Sequence, residues 1–193
     1  AKVGGLADVA GALPGALKEL GVDVRLIMPR FGQIDPAEHG LVREPVPDDW
    51  SVGIDWRHYP FEVWRGELDG GAPVYFLGGD DFYGREGIYN GADGNPFGDE
   101  LQRYVFFQKG VIEYLKVRGE PVDVLHANDY QTALTLGYAR DLYSGEHVFQ
   151  NTACVYSIHN LGYQGLYGAD RMTTIGFDTV SYTHLRAHET TVY

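Results

Sequence analysis

Residues 1–21 read AKVGGLADVAGALPGALKELG, and the fold follows from how this stretch divides. Val9, Leu13, Leu17 and Leu20 recur every three or four positions, which places them on one face of a helix. Gly21 stands where such a helix stops. Gly4 and Gly5 lead into it as a turn, with Lys2 just ahead. A glycine turn entering a helix presents free backbone N–H groups, and the helix dipole adds to their attraction for an anion, commonly a phosphate. On these residues alone two readings stay open: a phosphate-facing turn, or only a tight turn. Neither the dinucleotide fingerprint G-x-G-x-x-G nor a phosphate loop ending in Gly-Lys-Ser/Thr is present.

Working outward, VDVRLIMP (residues 22–29) is a β-branched apolar run ended by Pro29, and it reads as a buried strand. A helix running into such a strand opens an α/β layer fold. A phosphate-facing turn normally follows a strand of its own. The expectation is therefore that the chain is a fragment lacking its first strand.

At 193 residues, with 44% hydrophobic and 22% charged residues, the chain has enough material for one domain with a sizeable core. The formal charge of −12 argues against nucleic acid or an anionic membrane as the main partner. Cys154 is the single cysteine, so no disulfide closes within the chain and a reducing compartment is expected.

Residues 52–77 alternate in β-rich runs about a Gly70–Gly71 turn, which predicts a hairpin. Residues 80–98 lack periodicity and form a long loop, a length uncommon without a function. A helix is expected over 99–118, ended by Gly119 and Pro121. VDVLHAND then reads as a strand, YQTALTLGYARDLY as a helix and ACVYSIHN as a second strand. This alternation predicts a parallel sheet. Both strands end in His and Asn, and the first adds Asp129. Ligands of open parallel sheets bind beyond the carboxyl ends of strands, the edge at which the Lys2–Gly5 turn would also lie. The plainer alternative is that such a residue only caps the following helix or satisfies loop backbone, and Asp129 fits such a cap.

Four segments carry a resemblance. KVGGLADV, FYGREGIY, DVLHANDYQTAL and SIHNLGYQG resemble, in order, motifs of bacterial glycogen synthases and plant starch synthases, over about residues 1–178. The resemblance implies a Rossmann-like parallel sheet with a β-hairpin excursion, the N-terminal half of a two-domain GT-B glycosyltransferase. It implies transfer of glucose from ADP-glucose to the 4-OH end of an α-1,4-glucan, with retention, no metal and no cofactor. It assigns His159 to the donor glucose and Asp129 to the side of the reacting sugar. Lys2, Gly4, Gly5 and Asp8 fall in the donor-facing turn, and Tyr89, Asn160, Tyr163 and Gln164 in the walls of the cleft. A cytoplasmic protein is expected, or a plastid one if the source is a plant. The C-terminal nucleotide-binding half, with its cations for the diphosphate, is absent, so this length alone is expected to be inactive.

Two positions depart from the family pattern. Tyr130 stands where tryptophan is usual and still offers a ring to a sugar. Gln131 stands where many members have histidine and keeps only hydrogen bonding. No histidine or cysteine spacing suggests a metal site, and no G-x-S-x-G string suggests a serine nucleophile. Residues 179–193 lose the resemblance and read as a foreign tail, an artefact, with a divergent loop and helix as the alternative, so His184 and His188 are set outside any site. A non-catalytic sugar- or nucleotide-binding α/β domain remains the alternative.

Overall fold

The computed structural model describes residues 5–177; Lys2, Gly4 and the 179–193 tail lie outside that range. Helix α1 (Gly5–Glu19) takes in Gly5 as its first residue, and Gly21 ends the turn beyond it at φ +82°. Strand β1 (Leu26–Pro29) pairs in parallel with β6 (Pro73–Gly78), Leu26 opposite Val74 and Pro29 opposite Leu77. The expected hairpin joins β5 (Glu62–Glu67) to β6 through the 68–72 turn, with Gly71 at φ +74°. The short β2 (Val42–Arg43) adds antiparallel to β5, giving a four-stranded sheet in the order β1-β6-β5-β2. A second hairpin, β3 (Ser51–Ile54) with β4 (Arg57–Pro60), turns at Asp55. Strands β7 (Val124–Asn128) and β8 (Ala153–Ser157) pair in parallel as a separate layer.

Parallel pairing is thus present where expected, but among the described residues it falls in two sheets. Residues 22–25 lie outside β1, which begins at Leu26; among the described residues they pair with no strand.

Helix α2 (Glu100–Arg118) is the post about which the layers pack. Gly119, at φ +66°, donates its N–H to the Leu115 and Lys116 carbonyls and closes the helix as the sequence predicted. Val105, Phe106, Val63 and Leu77 are fully buried between helix and sheet. Each such side chain contributes about 1.5–3 kcal/mol relative to exposure. Gly110 allows the contact, since a Cβ there would lie 2.9 Å from Leu77 Cδ1. A smaller cluster, Ile112, Tyr138, Val148 and Phe177, lies between α2 and the segments flanking β8. Helix α3 (Tyr130–Gly137) follows β7 and widens into a π turn over Tyr138–Leu142; α4 (Met172–Ile175) comes last.

A cavity of about 780 Å³ runs between β1 and β7. Leu13 and Leu17 of α1, Met28 of β1, Val111 of α2 and Leu125 of β7 are among its walls. Only Pro14 of α1 is buried, so the apolar face of this helix looks into the cavity instead of onto a strand. β1 pairs only with β6 and β7 only with β8 among the described residues, which leaves one edge of each along this cavity.

Candidate functional site

The site begins where β7 stops. Asp129 has φ +58° and ψ 171°, a region that glycine alone enters freely. Holding an aspartate there costs about 1–3 kcal/mol, and such strain persists only where neighbours over-determine it. Those neighbours are visible. The Asp129 N–H donates to the Ser157 carbonyl at 2.9 Å, and the Asp129 carbonyl accepts the Thr132 N–H at 3.1 Å. The Thr132 hydroxyl accepts the Asn128 N–H and donates to the Asn128 carbonyl, both at 2.7 Å.

Asp129 occupies the position ahead of α3 yet makes no side-chain cap. Its Oδ1 instead accepts the backbone N–H of His159 at 2.7 Å, across the two strand ends. The helix cap is therefore absent, and the loop-backbone half of the plainer alternative is what the side chain does. The His159 ring returns the connection, with Nε2 3.0 Å from Asn128 Oδ1. Asp129 is 9% exposed and His159 lies open beside it. The geometry combines a carboxylate shielded from water with an accessible imidazole tied through Nε2 to Asn128, while the His159 backbone N–H binds the carboxylate.

Tyr89 reaches this pair from the long 80–98 loop. Its phenol is pushed up mainly by burial and secondarily by the Asp129 charge, and Tyr156 is raised by the same two causes in the same order. The loop itself is anchored by Arg103. This guanidinium is 1% exposed, donates from Nε to the Phe82 carbonyl at 3.1 Å and from Nη1 to the Ile88 carbonyl at 3.0 Å. It also lies 4.0 Å from the Phe97 ring centroid. Burial lowers the Arg103 pKa from its ordinary value.

Asn160, Tyr163 and Gln164 lie in the loop after His159. Asn160 Oδ1 accepts the Gly162 N–H at 2.9 Å and so braces the loop from within. Gln164 Nε2 donates to the Leu161 carbonyl at 2.9 Å, and Tyr163 is 69% exposed. None of the three has a hydrogen bond to Asp129 among the described residues. Gly5 opens α1 with free space where a Cβ would sit, and Asp8 is exposed in the first turn. Leu6 and Ala7 at the start of α1 line the same cavity as Tyr89, Asn128 and Gln131. Among the described residues the buried Gln131 Oε1 has no hydrogen-bond partner.

The sequence reading passed over Arg103 and a group around Glu100. Glu100 Oε1 lies 3.3 Å from Tyr104 OH and 3.4 Å from Tyr130 OH, and Oε2 lies 3.2 Å from Tyr167 OH. An arginine and a glutamate within a helix read as solvent-facing; the one available signal was an arginine among the apolar neighbours Tyr104, Val105 and Phe106. Among the described residues no group of three or more His, Cys, Asp or Glu is placed to hold a metal ion.

Known proteins with the same pattern agree on one family. The profile of the starch synthase catalytic domain matches residues 1–192. The chain belongs to the starch synthase catalytic domain family. It is 39% identical to a glycogen synthase of Syntrophotalea carbinolica over 183 residues, 95% of this chain and 37% of that relative. Glycogen synthase 1 of Geobacter sulfurreducens is 38% identical over 186 residues, again 37% of the relative's length. The chain therefore spans little more than a third of these relatives. Among solved structures, the catalytic domain of starch synthase IV from Arabidopsis thaliana, bound to ADP and acarbose, superposes with a TM-score of 0.78 at 28% identity. That match covers 92% of this chain and 35% of the other. The Rossmann-like, GT-B assignment holds, with the β5–β6 hairpin as its excursion. The family match runs into the stretch read as a foreign tail, which lies outside the described residues.

Proposed function

We propose that the complete protein transfers glucose from ADP-glucose to the non-reducing 4-OH end of an α-1,4-glucan, with retention of anomeric configuration. In this reaction the bond from glucose C1 to the diphosphate breaks, a bond from C1 to the acceptor oxygen forms, and ADP leaves. The observation that carries the reading is the Asp129–His159 junction: the shielded Asp129 carboxylate accepts the His159 backbone N–H at adjacent ends of parallel strands, with the His159 ring open beside it. Ligands of such sheets bind at that place. The starch synthase IV structure, which matches over most of this chain, holds ADP and acarbose, in line with a nucleotide-sugar donor and a glucan acceptor.

In this reading His159 hydrogen-bonds the donor glucose, and Asp129 places negative charge beside the positive charge that develops on the sugar. Tyr89, Asn160, Tyr163 and Gln164 shape the cleft, and Lys2, with Gly4, Gly5 and Asp8, faces the donor. Residues 1–178 form one half of a two-half enzyme. The cations that neutralise the departing diphosphate come from the other half, so this half alone transfers no glucose. The apolar cavity between β1 and β7 takes a further strand ahead of α1, which joins the two described sheets into one. We place the enzyme in the cytoplasm, or in the plastid if its source is a plant; among the described residues no helix is long and apolar enough to cross a membrane.

The test is radiolabelled glucose incorporation from ADP-glucose into glycogen by the complete gene product. Incorporation that requires the whole protein supports the reading. Binding of ADP-glucose or glucan without transfer by the complete protein favours a binding domain instead. Transfer by the 193-residue chain, free of host synthase, overturns the two-half argument.

A further inference from the structure

The loop after His159 has little apolar burial to hold it. Leu161 is 72% exposed, Tyr163 69% and Leu166 85%. Its fixed points are few. At one end, His159 bonds Asp129 and Asn128. In the middle, Gly165, at φ +60°, lies flat against the Tyr130 ring; a Cβ there would fall 2.1 Å from Tyr130 Cδ2. At the far end, Tyr167 donates its hydroxyl to Glu100. Two of these three ties lead to the same carboxylate, because the Tyr130 hydroxyl also points to Glu100. Tyr104 fills the remaining side, edge-on to Tyr130 with ring centroids 5.6 Å apart.

We propose that Glu100 is the positioning residue for this loop: its carboxylate gathers the hydroxyls of Tyr104, Tyr130 and Tyr167 and so sets the 160–167 segment over the Asp129–His159 junction. Among the described residues no cation lies within ion-pair distance of Glu100, so the phenols are its partners. Burial foremost, with the nearby negative charge, raises the Tyr167 phenol well above its ordinary range and keeps it a donor at neutral pH. A charged acceptor strengthens each of these hydrogen bonds, less so at an exposed hydroxyl such as that of Tyr167. The hydroxyl at position 130 is Tyr130's own, 3.4 Å from Glu100 Oε1. Its effect on transfer rests on the glucosyltransferase reading above; its effect on the loop does not.

The experiment uses the complete enzyme and the variants Glu100→Ala, Glu100→Gln, Tyr167→Phe and the Glu100→Ala/Tyr167→Phe double. Hydrogen–deuterium exchange over residues 160–167 is read beside kcat and KM for ADP-glucose and glycogen. Glu100→Ala is expected to speed exchange in this segment about tenfold and to lower kcat/KM by a similar factor. The thermal midpoint stays within about 2 °C. Tyr167→Phe gives part of the effect, Glu100→Gln is intermediate, and the double variant is no worse than Glu100→Ala, since both act through one contact. Unchanged exchange in Glu100→Ala overturns the proposal, as does an additive double variant or faster exchange with unaltered kcat/KM. Faster exchange in a wild-type background that shows no glucosyl transfer upholds the positioning role and sinks the glucosyltransferase reading instead. Should Glu100→Ala fail to fold, Tyr167→Phe carries the same two measurements.

Discussion

Replacing Arg103 by methionine tests whether one buried guanidinium holds the long loop in place. Methionine keeps the aliphatic stem and removes the charge. Two hydrogen bonds from a charged donor disappear, to the Phe82 and Ile88 carbonyls. Each contributes about 1.5–3 kcal/mol. The stacking over Phe97 at 4.0 Å adds about 2 kcal/mol in a desolvated setting. These contributions share one side chain and are not additive, and the Phe82 carbonyl keeps Arg85 as a donor at 3.3 Å. A net loss of about 3–5 kcal/mol is the expectation, placing this among the more damaging single changes. For a domain of this size about 1 kcal/mol corresponds to 2–4 °C, so the midpoint falls by about 6–20 °C. Thermal unfolding of the complete enzyme measures the loss, and limited proteolysis locates it: new cleavage belongs within residues 80–98. The reasoning is refuted by a midpoint unchanged within error, or by a loss of stability with no new cleavage in that loop.

The remaining expectations concern the site and its surroundings. Asp129→Asn keeps an acceptor for the His159 N–H, so the midpoint stays near wild type while kcat falls about a hundredfold or more; retained activity would show that the charge is not needed. Asp129→Gly exchanges about 1–3 kcal/mol of backbone strain for a lost charge-assisted bond of similar size, so calorimetry reads little net change in stability, and a large loss would contradict the strain argument. His159→Ala, and separately Lys2→Ala, each lower kcat/KM for ADP-glucose by at least about tenfold with the folded fraction unaltered; unchanged donor kinetics would remove that residue from the site. Burial pushes the Cys154 thiol above its ordinary pKa. Its thiolate fraction at pH 8 is then below that of free cysteine, and iodoacetamide alkylation runs slower and gains rate only at higher pH; a rate equal to free cysteine would count against this.

Local signals were readable wherever one residue type had one job. The Val9–Leu13–Leu17 spacing gave α1, Gly21 and Gly119 marked helix ends, and Gly70–Gly71 marked the β5–β6 turn. The strand ends were legible too, because Asn128 and Asp129 break an apolar run at a position where parallel sheets carry ligands. What escaped depends on distance along the chain. Glu100 meets Tyr167 across 67 positions, and Arg103 meets the Phe82 carbonyl across 21. No local period encodes either contact. The conformation of Asp129 was equally hidden, since nothing in an aspartate announces a left-handed backbone. The separation into two sheets escaped for another reason: alternation of strands and helices reports pairing direction, not which edges meet.

The edges of β1 and β7 that carry no strand among the described residues also bear on how this chain behaves in the company of its own copies. An unpaired strand edge flanked by apolar walls is a template for any extended polypeptide, and a neighbouring molecule in a concentrated solution supplies one. The net charge of −12 opposes that encounter, but only over the range at which ions leave it unscreened. That range shrinks from about 30 Å at 0.01 M salt to about 3 Å at 1 M. Association of the 193-residue chain into β-rich aggregates should therefore be slow in dilute buffer and accelerate with added salt, the opposite of a solubility limited by ion pairing between molecules.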